Sequence, residues 1–173
     1  MKKKIFALIA IAAFGFASCQ KPENPNNEPE PEPTPEPTPA ELVAGVYDGQ
    51  LSILLGDLPF GDPTDQQVEL IAGEDGTVTL SITDLSVMNG AFTFDQISLE
   101  GCPATENEDG SISVSTEGTV TLTFENVGNC DIDMTGSIKD GEAVLDLDIA
   151  PEMLDGTIVT AHFEGTRSET AAE

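Results

Sequence analysis

From Leu42 onward, apolar and polar residues alternate along the chain in short runs that are separated by Gly, Asp and Asn. This period of two is typical of antiparallel strands with one buried face, and no segment shows a convincing helical period. The runs predict strands at residues 45–55, 66–73, 77–87, 91–100, 111–115, 119–126, 131–139, 142–149 and 157–165.

Turn sequences set the pairing of these strands. Tight turns are predicted at Asp140–Gly141 and Asn89–Gly90, and three-residue loops at 74–76 and 116–118. These loop lengths bring apolar residues opposite one another: Ile138 and Ala143, Gly136 and Leu145, Met134 and Leu147, Ile132 and Ile149, Ala72 and Val78, Leu70 and Leu80, Val68 and Ile82, Val114 and Val120, Ile112 and Leu122, Val87 and Phe92, and Leu85 and Phe94. Hairpins between consecutive strands predict an up-and-down meander.

An open meander would leave apolar surface in water or strand edges unpaired, and closure into a barrel removes both. The predicted fold is therefore all-β, an antiparallel up-and-down barrel of about eight strands. The residues expected to face inward are Tyr47, Leu51, Ile53, Leu70, Leu80, Ile82, Phe92, Phe94, Leu122, Phe124, Ile132, Met134, Leu147, Val159 and Phe163.

The two ends of this region resemble the lipocalin and calycin barrels. Gly45-Val46-Tyr47 resembles the Gly-x-Trp opening of their first strand, with Tyr in place of Trp, and Arg167 matches the basic residue near their last strand. With the lipoprotein features below, the layout resembles the calycin-like domain of Bacteroidota lipoproteins. The resemblance implies a calycin-like barrel over 42–173 in which Tyr47 and Arg167 pack across the closure and are not site residues.

The N-terminal stretch resembles a bacterial lipoprotein signal. Three lysines precede an apolar run from Ile5 to Ala17, and small residues lead directly into Cys19. The resemblance implies a signal peptide over 1–18, lipidation of Cys19 and an outer-membrane anchor. The alternative is an ordinary cleaved signal with an incidental cysteine. Residues 20–23 partly resemble the export signals of Bacteroidota surface lipoproteins, which implies display on the cell surface.

Residues 19–41 form the predicted tether. Eight of the twelve prolines lie within 22–40, interspersed with glutamates that repel one another. Such a composition favours an extended, semi-rigid stalk between the lipid and the barrel. A proline-rich recognition motif is the alternative interpretation.

Charge excludes several partners. After signal removal, three basic residues (Lys21, Lys139 and Arg167) face 32 acidic ones, giving a net charge of −29. Such a chain repels nucleic acid and anionic lipid. We expect a monomer without a cofactor.

The residue types also argue against an enzyme. The only histidine, His162, falls on the predicted outer face, so the sequence indicates no Ser-His-Asp set and no His-rich zinc site. Glycine-containing turns lack the Lys and Ser or Thr of a phosphate loop.

The remaining cysteines suggest a disulfide. If Cys19 is lipidated, Cys102 and Cys130 are left, and in an oxidising compartment they should pair. Two free structural thiols are the alternative.

Four aspartates raise the possibility of a calcium site. The predicted register places Asp133 opposite Asp148, with Asp131 and Asp146 beside them, and such like charges would be relieved by calcium. A solvated acidic face is the favoured interpretation, because the four residues include no ligand-bearing loop.

The loop at residues 56–63 joins the first two strands and carries Leu58 and Phe60. It would either plug the barrel or act as a lid over a ligand. The predicted function is binding of a small apolar ligand at the loop end, through Leu58, Phe60, Phe92 and Phe94. The alternative is a barrel filled by its own side chains that contacts a protein partner. Nothing in the sequence identifies the ligand or the partner.

Overall fold

The computed structural model describes residues 36–56, 58–87, 90 and 92–168, within a compact unit that spans Glu36–Glu173. An α-helix, α1, spans Pro39–Val43, and a 3-10 helix spans Glu152–Leu154. The strands are β1 Gly45–Leu55, β2 Leu58–Pro59, β3 Thr64–Ala72, β4 Thr77–Val87, β5 Phe92–Glu106, β6 Ile112–Ser115, β7 Val120–Phe124, β8 Gly128–Lys139, β9 Glu142–Pro151 and β10 Val159–Arg167.

The sheet closes on itself, which confirms the predicted barrel. Strand β10 pairs with β9 on one side and with β1 on the other, through a ladder that runs from Tyr47 opposite Arg167 to Leu55 opposite Val159. Antiparallel ladders then connect β1 through β3, β4, β5, β6 and β8 to β9. The result is a closed antiparallel barrel of eight strand positions.

The predicted hairpin at 116–118 is wrong. Val114 pairs with Gly136, and Val120 pairs with Ile132, so β6 and β7 both pair with β8 and share one position in the barrel. Thr116 explains this, because its backbone N–H donates to the Met134 carbonyl at 3.0 Å and its hydroxyl accepts from the Met134 N–H at 3.1 Å. The chain therefore bulges at 116–119 and continues in the same direction instead of reversing.

The other predicted registers are confirmed. Met134 lies opposite Leu147, Leu70 opposite Leu80, and Leu85 opposite Phe94. The other pairs that were predicted for these three hairpins are also observed. The Gly at each turn has positive φ, as with Gly76 at 80° and Gly141 at 83°.

One apolar cluster fills the barrel. Its largest side chains are at most 2% exposed: Tyr47, Phe94, Phe163, Leu51, Leu70, Leu80, Ile82, Leu85, Ile97, Leu99, Ile132 and Met134. Ile53, Leu122 and Phe124 are only partly buried, and the side chain of Phe92 lies outside the described part of the chain. The other residues predicted to face inward are buried.

The helix α1 was not predicted from the sequence. Thr38 and Glu41 form a capping box: the Thr38 hydroxyl accepts from the Glu41 N–H, and a Glu41 carboxylate oxygen accepts from the Thr38 N–H. Ala40 and Val43 are buried against the barrel. The folded domain therefore includes residues that were assigned to the stalk.

The predicted signal peptide, Cys19 and most of the predicted stalk lie outside the described residues. Within the described part of the chain, no helix is both long and apolar enough to cross a membrane.

Candidate functional site

The two ends of the barrel differ. The helix end carries α1 and the start of β1, and the loop end carries the connections after β1, β4, β7 and β9. At the loop end, Leu55 pairs with Val159 of β10 and also with Leu58 of β2. Because β10 occupies one edge of β1, β2 lies on the other edge, beyond the last β3 pair at Leu51 and Thr64. The loop at 56–63 thus prolongs the barrel wall.

Two neighbouring strands separate at the loop end. The β3–β4 ladder ends at Val68 and Ile82, although β4 continues beside β5 as far as Val87. Residues 64–67 of β3 therefore do not pair with residues 83–87 of β4. We call the space between these two segments the wall gap.

Asp84 marks the start of the separation. Its φ is 55°, in the left-handed region that few residues other than Gly and Asn or Asp adopt. The alternation of faces breaks there, because Ile82 and Leu85 are both fully buried. The irregularity adds no residue to the ladder with β5, because Thr83 pairs with Gln96 and Leu85 pairs with Phe94 in one register.

A glutamine side chain crosses the wall gap. The Gln66 side-chain amide donates to the Thr83 carbonyl at 3.0 Å and to the Gln67 carbonyl at 3.1 Å. A side chain thus supplies one hydrogen bond that a neighbouring strand would otherwise supply.

The wall gap forms a cleft of about 260 Å³ that is lined by apolar and acidic side chains. We call its apolar residues, Leu51, Ile53 and Phe60, the floor, and its exposed aspartates, Asp62, Asp65 and Asp84, the rim. Asp65 accepts a hydrogen bond from the Gln50 side chain. The described lysine and arginine, Lys139 and Arg167, lie on the last residues of β8 and β10, at the helix end.

Of the predicted ligand residues, Leu58, Phe60 and Phe94 lie in three different surroundings. Phe60 lines the wall gap, whereas Leu58 is 73% exposed and does not plug the barrel. Phe94 is a core residue that packs edge-on against Phe124, with ring centroids 4.7 Å apart. For Phe92 only the backbone is described, opposite Val87.

The two buried cysteines are free thiols, so the predicted disulfide is absent from the described residues. Ala104 pairs with Val114, and Val114 pairs with Gly136, so Ala104 and Gly136 lie at the same position along the barrel axis. Cys102 precedes Ala104 by two residues, whereas Cys130 precedes Gly136 by six. The two cysteines are therefore offset by four residues, about 13 Å along the strands. A disulfide needs Cα atoms within about 7 Å. Burial raises the pKa of both thiols.

The aspartates on the outer face of β8 and β9 each have their own hydrogen-bond donor. Asp133 does lie opposite Asp148, as predicted, but Thr119 donates to Asp133 and Thr160 donates to Asp148. Thr121 donates to Asp131, and His162 bonds Asp146. No group of three or more His, Cys, Asp or Glu among the described residues is arranged to hold a metal. The calcium alternative therefore has no ligand cluster.

Three neighbouring residues on the outer face, Ser52, His162 and Asp146, are of the types that form a Ser-His-Asp catalytic triad. Ser52 pairs with His162, and His162 pairs with Asp146, whose Oδ1 lies 2.6 Å from the His162 Nδ1. The other ring nitrogen lies 3.4 Å from Glu164 Oε1, and Ser52 makes no hydrogen bond to the ring. The sequence did not indicate this alignment. The two carboxylates raise the pKa of His162, chiefly through the Asp146 hydrogen bond.

The family comparison decides the fold assignment. The family model described as "Calycin-like beta-barrel domain" matches residues 43–166. The chain belongs to the calycin-like β-barrel family. The calycin-like closure is seen at Tyr47, whose hydroxyl donates to the Val43 carbonyl at 2.8 Å and accepts from Arg167 at 3.1 Å.

A solved structure shares this calycin-like fold. It is described as a "putative outer membrane protein" from Bacteroides fragilis, with a TM-score of 0.58 and 21% sequence identity. The match covers 75% of this chain and 52% of that chain, so this chain spans about half of that protein's length. The comparison with curated proteins gives no match.

The wall gap was missed by sequence reasoning. Its key residues are Gln66, Thr83 and Asp84, and all three fall in runs that were assigned to regular strands. The available signal was the poor match of residues 83–87 to strict alternation, which coincides with the left-handed Asp84.

Proposed function

We propose that this calycin-like chain is a lipoprotein of the cell envelope, anchored in the outer membrane through Cys19, whose barrel binds another protein at its loop end. The lipoprotein signal supports the anchor. The structural neighbour from Bacteroides fragilis, described as an outer membrane protein, is consistent with an envelope location. A stalk rich in Pro and Glu would hold the barrel away from the membrane and display it at the cell surface.

The observation that carries the proposal is the filled interior. Leu147 and Phe163, near the middle of their strands, are 0% exposed, as are most of the inward residues. An eight-stranded barrel is just wide enough to be filled by its own side chains. Such an interior does not offer a cavity of about 300 to 1,000 Å³, the size that is typical of small-molecule pockets.

The loop end of the barrel exposes apolar side chains to solvent. Leu58, Met153 and Ile158 are 73%, 58% and 47% exposed. Leu58 and Ile158 flank the end of β1 on its two edges, because Leu55 pairs with Leu58 while the Gly56 N–H donates to the Ile158 carbonyl at 3.4 Å. Exposed apolar side chains at one end of a barrel are candidates for contact with another protein.

The same features weigh against catalysis. Ser52 is not engaged by His162, and the backbone of β1 and β10 is paired in a continuous ladder on both sides of these residues. An acyl-transfer site needs free backbone donors or equivalent groups to bind the oxyanion. We propose a binding protein and not an enzyme.

The test is photo-crosslinking in intact cells that make the protein. A photoreactive residue at position 58 is compared with one at Ile71, which is 47% exposed but lies toward the helix end of β3. We expect a discrete crosslinked product from position 58 that is lost when Ile158→Asp is added, and none from position 71. Equal products at both positions, or none at either, would contradict protein binding at the loop end.

A further inference from the structure

We propose that the wall gap binds an extended segment of another protein that carries a Lys or Arg side chain, an inference that rests on the proposed protein-binding function. The segment pairs through its backbone with the open strand edge and places its basic side chain among the rim aspartates.

The first step is the backbone. A strand edge without a ladder partner presents N–H and C=O groups that an extended peptide can pair with, as in recognition by strand addition. In the wall gap, residues 64–67 and 83–87 are such edges. Edges of β5 and β7 are also unpaired, because β5 pairs with β6 only at residues 104–106 and β7 pairs only with β8. The wall gap is one of the places where the described barrel can accept a short added strand, and the side-chain hydrogen bond across it and its acidic rim distinguish it from the other.

The second step is the Gln66 amide. It donates to the Thr83 carbonyl at 3.0 Å, in the position of a backbone donor. A main-chain N–H of the incoming segment would replace it, so the Thr83 carbonyl keeps a hydrogen bond. The Gln66 amide is part-exposed and can bond to water once displaced.

The third step is charge. Asp62, Asp65 and Asp84 line the rim, and the only described lysine and arginine are at the helix end of the barrel. No cation of the described chain neutralises this rim. A basic side chain on the partner supplies the complementary charge, which steers association and fixes the register of the added strand.

The apolar floor sets the alternating pattern of the segment. Successive side chains of a strand point to opposite faces. A segment seated in the wall gap places one side chain toward Leu51, Ile53 and Phe60, and its neighbours toward the solvent-exposed carboxylates. The preferred occupant therefore alternates aliphatic and basic residues.

The chain's own remaining segments do not fit. Residues 22–35 carry prolines, which lack an N–H, and glutamates, which the rim would repel. Residues 169–173 contain Glu169 and Glu173 and no basic residue. A second copy offers only Lys21, Lys139 and Arg167 as basic residues of the mature chain, none of them in an alternating aliphatic and basic segment. The occupant is therefore a different protein.

The experiment is an amide chemical-shift titration of residues 36–173, the compact unit that holds every described element. The probe is a six-residue peptide of alternating Val and Lys with blocked termini, in 150 mM salt. Two matched peptides replace Lys by Glu, or carry N-methyl groups on alternate main-chain nitrogens. We expect saturable shifts at 64–67 and 83–87 with the Lys peptide, and loss of binding with either matched peptide.

Protein variants provide the second arm. Asp84→Asn removes the rim charge and keeps a residue that tolerates the left-handed conformation. We expect it to weaken binding about threefold to fivefold, as for loss of one exposed charge pair. Asp148→Asn makes the same charge change on the outer face of β9 and should leave the affinity within about twofold. Each spectrum also reports whether the variant is folded.

The proposal is overturned if the shifts spread over the outer aspartates, if both variants weaken binding equally, if the N-methylated peptide binds as well, or if no shifts saturate. Crosslinking from position 58 is independent of this titration. A crosslinked partner with no peptide binding would retain the proposed function and reject the wall gap as its site.

Discussion

The guanidinium carbon of Arg167 lies 5.5 Å from the centre of the Tyr47 ring, and Arg167 Nη2 donates to the Tyr47 hydroxyl at 3.1 Å. Tyr47 is fully buried and begins the ladder that joins the first and last long strands. Arg167 also donates to the Leu42 carbonyl in α1. One side chain thus links both ends of the folded chain at the point where the barrel closes.

Arg167→Ala should therefore destabilise the barrel. Loss of the cation–π contact and of the hydrogen bond to Tyr47 is expected to lower the free energy of unfolding by about 1 to 2 kcal/mol. Urea denaturation of residues 36–173 measures it. Lys139→Ala is the control, because Lys139 is half exposed, lies 3.7 Å from Asp109 and should cost no more than about 0.5 kcal/mol. Equal losses for the two variants would show that Arg167 does not close the barrel.

Gly49 sets how closely β1 and β10 approach. Gly49 lies opposite Gly165, and a Cβ at position 49 would overlap the Glu164 carbonyl oxygen. Gly49→Ala should lower the free energy of unfolding by about 1 to 3 kcal/mol, because the clash is with backbone. Gly118→Asn is the control, since no atom lies within 4 Å of a Cβ there and Asn tolerates its φ of 84°. A neutral Gly49→Ala variant would contradict the described spacing of these strands.

The pKa of His162 should make stability depend on pH. Asp146 and Glu164 raise that pKa above its ordinary 6.5, so the folded chain holds the His162 proton more tightly than the unfolded chain. The added stability is fully present below 6.5 and is lost as the pH rises through the folded pKa. His162→Gln should therefore cost more at pH 5 than at pH 8, by about 1 kcal/mol or less for this part-exposed group.

The measurement combines urea denaturation at both pH values with an NMR titration of the imidazole, which is unambiguous because the chain has one histidine. An imidazole pKa at or below 6.5, or a His162→Gln cost that grows with pH, would contradict the described contacts.

Cys102 and Cys130 should behave as buried thiols. Because burial raises the pKa of both, we expect no reaction of native residues 36–173 with a thiol reagent at pH 7.5 and reaction of two thiols after unfolding without reductant. Cys102→Ser and Cys130→Ser should each leave one reactive thiol. Two unreactive cysteines in the unfolded wild-type domain would instead demonstrate the disulfide.

The hairpin registers were predictable where the loop length and the apolar pattern agree. At Asp140–Gly141 a two-residue turn and four apolar pairs point to the same register, because a slip of one residue would turn every side chain to the other face. At 116–118 the same signals occur, yet the chain bulges. From a glycine between two alternating runs, a chain reversal cannot be told apart from a bulge after which the strand continues in the same direction. The contacts that decide between them join Thr116 to Met134, 18 residues away.

The remaining differences have similar causes. The helix α1 is five residues long, too short for a helical period, although Thr38, Pro39 and Glu41 form a recognisable start signal. The wall gap depends on where β3 and β4 part, and the local signal of that point is the poor match of residues 83–87 to strict alternation, which does not show that the two strands separate. The filled interior depends on how side chains from all eight positions meet.

The filled interior is tested most directly by an amide chemical-shift titration of residues 36–173 with decanoic acid up to its solubility limit. We expect no saturable shift at Leu147 or Phe163, whose side chains are fully buried in the packed core. Saturable shifts at both amides, with intermolecular contacts from the acyl chain to their side chains, would show that the barrel opens to an apolar ligand and would contradict a filled protein-binding barrel.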